Sequence, residues 1–488
     1  MNNQVFQNLR AIEQYAQYWY KETIDSNPSY LEPVKHPYRS VFACDRDRVM
    51  YSSAFRRLSS KTQVFNSRST DNIRTRLTHT LEVSQIARTI SSELGLDQEL
   101  TEAIALGHDV GHTPFGHVGE RTLNVFSIGK DKQQVKDDVG VDSNFYGFKH
   151  NLQSVRVLVE YSEGVKFSNF LLFGVREHSK ICWHNLGDVS FYSNYNPYCS
   201  YCVDNNIYPA WSFEAYAVKW ADEIAQRHHD IEDAFFQKIL TPIEIVTKVS
   251  SLVGLINSDS ITKKFEKLKE EAEKLERKEF TAVQYSFAHS LSSFLVDTYV
   301  TIIIKEFRRV MTHFSNTNKI NNRNDFISKY TSFPIDDIRK MMSLNTSKIF
   351  EVDNTLGESL KNSILDSYEV QRADGKGAYV IRKLVRAYLT NPQQLPNEYI
   401  NRFIKVELPR SLKLENETFI QNILKGFSNH YPENINIWKD YECRETLKAI
   451  CSNSEWFATS YNALLRTILD YVAGMTDSYA NKQYEELY

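Results

Sequence analysis

The sequence predicts an all-α protein, and three observations carry that reading. Only 17 glycines and 12 prolines occur in 488 residues, too few for a loop-rich β protein. Apolar residues recur at helical spacing in one segment after another. Strand-like alternation is scarce throughout. Hydrophobic residues make up 42% and charged residues 24%, the mix of a globular protein with an ordinary core. The 58 basic and 61 acidic residues give a net charge of −3, which argues against whole-chain attraction to nucleic acid and leaves a local basic patch open. Six cysteines in a chain of this length do not make a disulfide scaffold. No apolar run approaches the ~20 residues of a membrane span, and the N-terminus lacks an apolar signal core. These readings lead us to expect a reduced, cytoplasmic protein that does not contact a membrane.

In chain order, residues 1–42 read as a helix (Phe6 to Tyr20) and an irregular arm around Pro28, Pro33 and Pro37, docked by Trp19 and Tyr20. Residues 43–240 read as the helical core. Its first stretch carries Arg46, Arg48, Arg56, Arg57 and Lys61, either a solvated face with local ion pairs or an anion-facing wall, because guanidinium forks match phosphate oxygens. The helix after Thr78 places Val83, Ile86, Ala87, Ile90 and Leu94 on one face and stops at Gly95. His79 precedes Val83 by four and so points inward. Asp97 is placed to cap the next helix, and His108, four beyond Ile104, also points inward. A lone inward histidine is ordinarily a satisfied core residue. Two of them with the adjacent Asp109 point to a metal site, because buried polar groups need partners.

Beyond the Gly-Pro loop that contains His112, His117 and Glu120 are neighbours on one helix face. A carboxylate beside an imidazole raises its pKa and fixes its tautomer, which is how a general acid or base is built; a surface pair is the alternative. His150 opens another helix. Cys182, His184, Cys199 and Cys202 are spaced so that a structural zinc is conceivable, but the spacing favours unligated thiols. The helix over residues 211–235 buries Val218, Ala221 and Ala225 with Asp222 among them, and a metal would supply the charge that a buried aspartate lacks. Asp230 follows about two turns later. Residues 241–345 read as a helical extension that includes 263–279, where 13 of 17 residues are charged; this segment is expected to project or to contact a partner. Residues 346–488 read as a C-terminal helical region packed on the core, with Gly375 and Gly377 marking a turn before a helix.

The set His79, His108–Asp109 and Asp222 resembles the H…HD…D signature of the HD phosphohydrolase superfamily. More narrowly, the chain resembles the bacterial deoxyguanosine triphosphate triphosphohydrolases. The likeness is carried by RDRVMYSSAFRRLSSKTQVF, RTRLTHTLEV, GHDVGHTPFGHVGE, ADEIAQRHHDIEDA, DGKGAYVIRKL and LDYVAGMTDSYA, blocks that run from Asp45 to about Tyr479. The resemblance implies an HD-domain helical core and cleavage of a dNTP, dGTP above others, at the α-phosphorus, giving a deoxynucleoside and tripolyphosphate and so limiting dNTP pools. It implies that His79, His108, Asp109 and Asp222 hold a divalent metal. Such a donor set suits Mn, Mg, Fe or Zn. It assigns proton transfer to His117 oriented by Glu120, phosphate contacts to Arg76 and His112, the sugar and base to Gln63, the sugar 3′-OH to Asp230, and a further active-site role to His150. Where relatives carry a tyrosine that packs on the sugar, this chain has Gln226, a departure that bears on deoxyribose and dGTP recognition. The resemblance further implies a homo-oligomer, commonly a hexamer, with single-stranded DNA as a partner of some members and a second, activating dNTP site in others. An HD phosphohydrolase acting on another nucleotide phosphate ester is the alternative reading.

Overall fold

The computed structural model describes the chain except residues 1–3, 21–28, 32, 34–35, 64–73, 130, 132–146, 162–164, 180–209, 257, 278–281, 345–346, 365 and 412–438. The fold is all-α, with one antiparallel hairpin formed by β1 (Tyr18–Tyr20) and β2 (Ser29–Leu31). The helices that place the site are α1 (Val41–Tyr51), α2 (Arg76–Glu93), α3 (Gln98–Gly107), α4 (Gly116–Ser127), α5 (His150–Glu160), α6 (Asn169–Glu177) and α7 (Phe213–Phe236). A second group follows: α8 (Pro242–Val253), α9 (Asp259–Glu276), α10 (Ala282–Thr317) and α11 (Lys348–Ile364). The last group is α12 (Tyr368–Thr390), α13 (Asp440–Ser452), α14 (Ser454–Gly474) and α15 (Asp477–Leu487).

Local chemistry sets the site helices. Thr75 caps α2 in a reciprocal arrangement with Thr78, and Gly95, at φ +65°, ends it. The Asp97 side chain accepts from the Glu99 and Leu100 amides to start α3. The central helix α7 packs against α2, α3, α6 and α10. Apolar side chains form two clusters. The larger holds Val83, Ile90, Leu100, Ile104, Val218 and Ile224 together with most of α8–α11. The smaller is built by α12, α13 and α14 and closes over Leu123 and Phe126 of α4. Helix α4 therefore turns one face to each neighbour: Leu123 and Phe126 enter the smaller core, and His117 and Glu120 face the site.

The structure differs from the sequence reading at five places. Phe6–Tyr20 is not one helix: a turn of helix at Gln4–Gln7 and a 3-10 turn at Glu13–Tyr15 lead into β1. The backbone there bonds to the body, with Gln17 exchanging hydrogen bonds with Asn169 and Ala11 donating to Glu214, so tertiary partners replace helical ones. Tyr18 is buried under the Arg48 guanidinium, and the side chains of Trp19 and Tyr20 lie outside the described residues. Gly375 and Gly377 lie inside α12 rather than in a turn. A Cβ on Gly377 would meet the Phe115 Cβ at 2.8 Å, so the glycine admits a close approach. The roughly 1 kcal/mol cost of a helical glycine is offset by Val380, Ile381 and Leu384 in the smaller core. The charged segment does not project: α9 lays Ile261, Leu268 and Ala272 against α10. Residues Gln284–Thr317 form a helix long and apolar enough to cross a membrane by length and composition. Phe287, Leu291, Phe294 and Ile303 bury it in the larger core instead.

The fifth place is the basic stretch, where Arg46, Arg48 and Lys61 follow the local-pairing alternative and not the anion-facing one. Arg46 pairs with Asp47, and Arg48 bonds to the Tyr18 hydroxyl and the Lys166 carbonyl. The buried Lys61 ammonium is fixed to the carbonyls of His112 and Ala473, and burial lowers its pKa to about 7. The same region is held from the C-terminus by Asp477, which accepts from the Thr62 and Phe115 amides.

One close approach sets the height of α5 against the His108–Asp109 turn. The Gly111 amide donates to Ser154 Oγ, which donates to the His108 carbonyl. A Cβ on Gly111 would lie 2.1 Å from the Ser154 nitrogen. Gly111→Ala is expected to lower stability by about 3 kcal/mol, the upper part of the range for forced overpacking, and to lower activity with it. Chemical denaturation checks this, and an unchanged midpoint would contradict it.

Candidate active site

The four ligands named from the sequence converge from three elements. His79 rises from the first turn of α2, His108 and Asp109 end α3, and Asp222 faces them from α7. The His79 Nε2 lies 3.0 Å from Asp222 Oδ1. His108 Nε2 is 3.8 Å from the same oxygen and 3.7 Å from Asp109 Oδ2. The His108 Nδ1 donates to the Ala105 carbonyl at 2.6 Å, which leaves Nε2 as a lone pair, buried and without a hydrogen-bond partner. His79, His108 and Asp222 place ligand atoms within 4.8 Å of one another. Two imidazoles and two carboxylates with an orphaned buried nitrogen between them fit a divalent cation. Burial opposes ionisation of Asp222, but the hydrogen bond from His79 and the surrounding imidazoles outweigh it and hold its pKa below the usual carboxylate range.

Buried nitrogens without hydrogen-bond partners adjoin this quartet. Arg76, buried on α2, bonds Asp109 through one nitrogen, while its Nε and second terminal nitrogen have no hydrogen-bond partner. His112 is buried with both ring nitrogens unpartnered. Burial and the nearby Arg76 cation keep its pKa well below that of free histidine, so the ring is neutral with one N–H to donate. The turn into α4 holds Phe115 and Gly116 at φ 59° and 63°, and Gly116 abuts the Gln63 carbonyl. This turn aims His117 outward from the helix start.

His117 is the exposed member of the group, with its ring 5.2 Å from that of His112. The protein around it and the Arg76 charge lower its pKa to about 4; water at the open ring moderates the shift without reversing it. Glu120 does not bond His117 here. It pairs with His150 Nδ1 and with Lys149 Nζ at 2.6 Å, and it accepts from the His150 amide. The ligand atoms of His112, His117, Glu120 and His150 nonetheless lie within 4.8 Å of one another. His150 stacks on His112 with ring centroids 4.7 Å apart, and the Glu120 charge raises its pKa against the opposing effect of burial.

His178 was absent from the sequence reading. It is buried at the end of α6, donates from Nδ1 to the Val175 carbonyl, and brings Nε2 to 3.2 Å from His150 Nε2. With Asp109 and His150 it forms another group close enough to hold a cation. The same test that found His108 would have found it, because Leu171, Val175 and His178 share one helix face. Asp230 sits two turns beyond Asp222 with one buried oxygen unpartnered, and burial raises its pKa to about 7. Gln226 is half-buried on the same helix. A cavity of about 590 Å³ is lined by Glu177, Tyr216, Lys219, Glu223 and Arg227 among others, and by none of the site residues named above. Cys182, His184, Cys199 and Cys202 lie outside the described residues.

The helical fold and the converging quartet define an HD-domain phosphohydrolase, and the HD domain family model matches residues 76–182. The phosphohydrolase-associated domain matches residues 448–486, within α13–α15. A deoxyguanosinetriphosphate triphosphohydrolase-like protein of Neorickettsia sennetsu is 30% identical over 75% of this chain and 83% of its own length. Its namesake in Geobacter metallireducens is 30% identical over 74% of this chain and 80% of its own. A third, from a Ruegeria species, is 39% identical over 43% of this chain and 51% of its own. The chain belongs to the family of deoxyguanosinetriphosphate triphosphohydrolase-like proteins.

Proposed function

We propose that this protein is a metal-dependent dNTP triphosphohydrolase that favours dGTP, releases deoxynucleoside and tripolyphosphate, and limits dNTP pools in the cytoplasm as a homo-oligomer. The carrying observation is the adjacency of a cation site and an anion site: Asp109 belongs to the quartet and also holds the buried Arg76, whose remaining donors are unsatisfied. A divalent cation (Mn or Mg first, Fe or Zn by the same donor set) held by His79, His108, Asp109 and Asp222 supplies charge to the phosphoryl oxygens. Arg76 and His112 donate to the phosphates. Water attacks the α-phosphorus, the P–O5′ bond breaks, and the departing 5′-oxygen takes a proton. His117 is the proton-transfer group, open to the substrate and neutral in the resting site. Glu120 orients the group through His150. The unpartnered Asp230 oxygen suits the sugar 3′-OH, and Gln63 lies beside the turn that carries His117. The preference for dGTP draws on the names of the relatives.

Purified protein with Mn or Mg is expected to turn over dNTPs, dGTP fastest, and to leave nucleoside monophosphates and cyclic dinucleotides intact. Chromatographic comparison of these rates separates the proposal from a phosphohydrolase of other esters; faster turnover of a monophosphate would favour the latter. Because the pKa of His117 is lowered, protonation of the resting site waits for acid. The kcat/KM profile is expected to stay level near neutrality and to fall only as pH drops towards about 4. A fall centred near the ordinary histidine value of about 6.5 would contradict the assignment.

A further inference from the structure

A chain of hydrogen-bonding groups leaves the metal quartet along the interface of α2 and α7. Two helix faces carry it: His79 and Glu82 are three apart on α2, and Asp222 and His229 are seven apart on α7. His79 Nε2 faces Asp222 and the quartet; when a cation is held there, this nitrogen offers it a lone pair in place of the proton it otherwise gives Asp222, and the ring proton then sits on Nδ1. That Nδ1 lies 3.1 Å from His229 Nδ1. His229 therefore accepts there and carries its own proton on Nε2, which is 2.5 Å from Glu82 Oε2. The other Glu82 oxygen accepts from Arg74 Nε at 3.1 Å. Under this single assignment every donor along the chain meets an acceptor.

We infer that His229 and Glu82 are positioning residues of the metal centre, holding His79 in the tautomer that offers Nε2 to the cation. This inference rests on the metal-dependent reading above. Glu82, His228 and His229 also lie close enough to bind a cation themselves. That alternative has one unengaged donor, His228 Nδ1, 3.6 Å from Glu82 Oε2, but both His229 nitrogens are used and Arg74 places a fixed positive charge on Glu82. His228 Nε2 meets Ser292 Oγ at 2.7 Å and Glu232 at 3.2 Å. The relay explains the same cluster without an ion.

The test is titration of chelator-treated protein with Mn²⁺, reading free Mn²⁺ by electron paramagnetic resonance. His229→Phe fills the ring volume without an acceptor and is expected to raise the Kd about 10–100-fold, the range for lost partners of a ligating histidine. His229→Asn places an oxygen near the Nδ1 position and is expected to recover most of that loss. Glu82→Leu is expected to weaken binding in the same direction by a smaller factor, and it decides the matter if His229→Phe does not fold. Wild-type affinity in His229→Phe or Glu82→Leu would overturn the relay, as would equal losses in the Phe and Asn variants, which mark a merely structural role. Failure of the unaltered protein to bind Mn²⁺ would overturn the metal-dependent reading and the relay with it.

Discussion

His117→Ala is expected to lower kcat by about 10²–10⁴-fold, the usual contribution of a positioned proton-transfer group, while metal content stays unchanged. Asp222→Ala is expected to lose metal and turnover together. The contrast follows from position. Asp222 Oδ1 is the oxygen that both His79 Nε2 and His108 Nε2 face, so its removal takes away the negative charge that holds a cation between them. His117 belongs to a different group, with His112, Glu120 and His150, on the far side of Arg76 and Asp109. Its ring is exposed and makes no hydrogen bond among the described residues. Elemental analysis of the two variants, with single-turnover rates, checks both halves. Metal loss in His117→Ala would make His117 a ligand.

Asp470→Ala is expected to cost about 3–5 kcal/mol, the range for removing one partner of a buried ion pair. Asp470 is buried on α14 and accepts from Arg156 Nε at 2.8 Å, Gln153 Nε2 at 2.9 Å, Tyr161 hydroxyl at 2.8 Å and Arg466 at 2.9 Å. Arg156 would keep its pairing with Glu407. Because Gln153 and Arg156 lie on α5, whose first residue is His150, the damage reaches the site. Burial opposes ionisation of Asp470, yet Arg156 and Arg466 prevail and depress its pKa. A depressed carboxylate stabilises the fold above its unfolded pKa of about 3.9 and loses that contribution as pH falls through the lower folded value. Denaturation midpoints of wild type and Asp470→Asn should therefore differ at neutral pH and converge in acid. A constant gap down to the lowest pH would contradict the ionic account.

The inward placing of His79, His108 and Asp222 was legible because each obeys a local rule. His79 and His108 sit four residues from apolar neighbours on a buried face, and Asp222 is a carboxylate among Val218, Ala221 and Ala225. What escaped depended on partners distant in the chain. Glu120 lies three residues from His117, but its carboxylate is claimed by Lys149 and His150, about thirty residues away in sequence. Of the arginines that could have formed a phosphate wall, Arg46 is spent on Asp47 and Arg48 on Tyr18 and a backbone carbonyl. The N-terminal arm follows the backbone at Asn169 in place of its own helical bonds. Asp470 and Asp477 act through residues more than 300 positions earlier, and no periodicity reports such contacts.

The proposed reaction is attack of water at the α-phosphorus in a site built from the quartet, Arg76, His112 and His117. It is tested most directly by running the reaction with dGTP and Mn²⁺ in ¹⁸O-labelled water and following it by ³¹P nuclear magnetic resonance. The account predicts tripolyphosphate as the phosphorus product, with the label on one of its terminal phosphorus atoms and none in the deoxyguanosine. Pyrophosphate with a deoxynucleoside monophosphate, or no turnover of any dNTP, would contradict it.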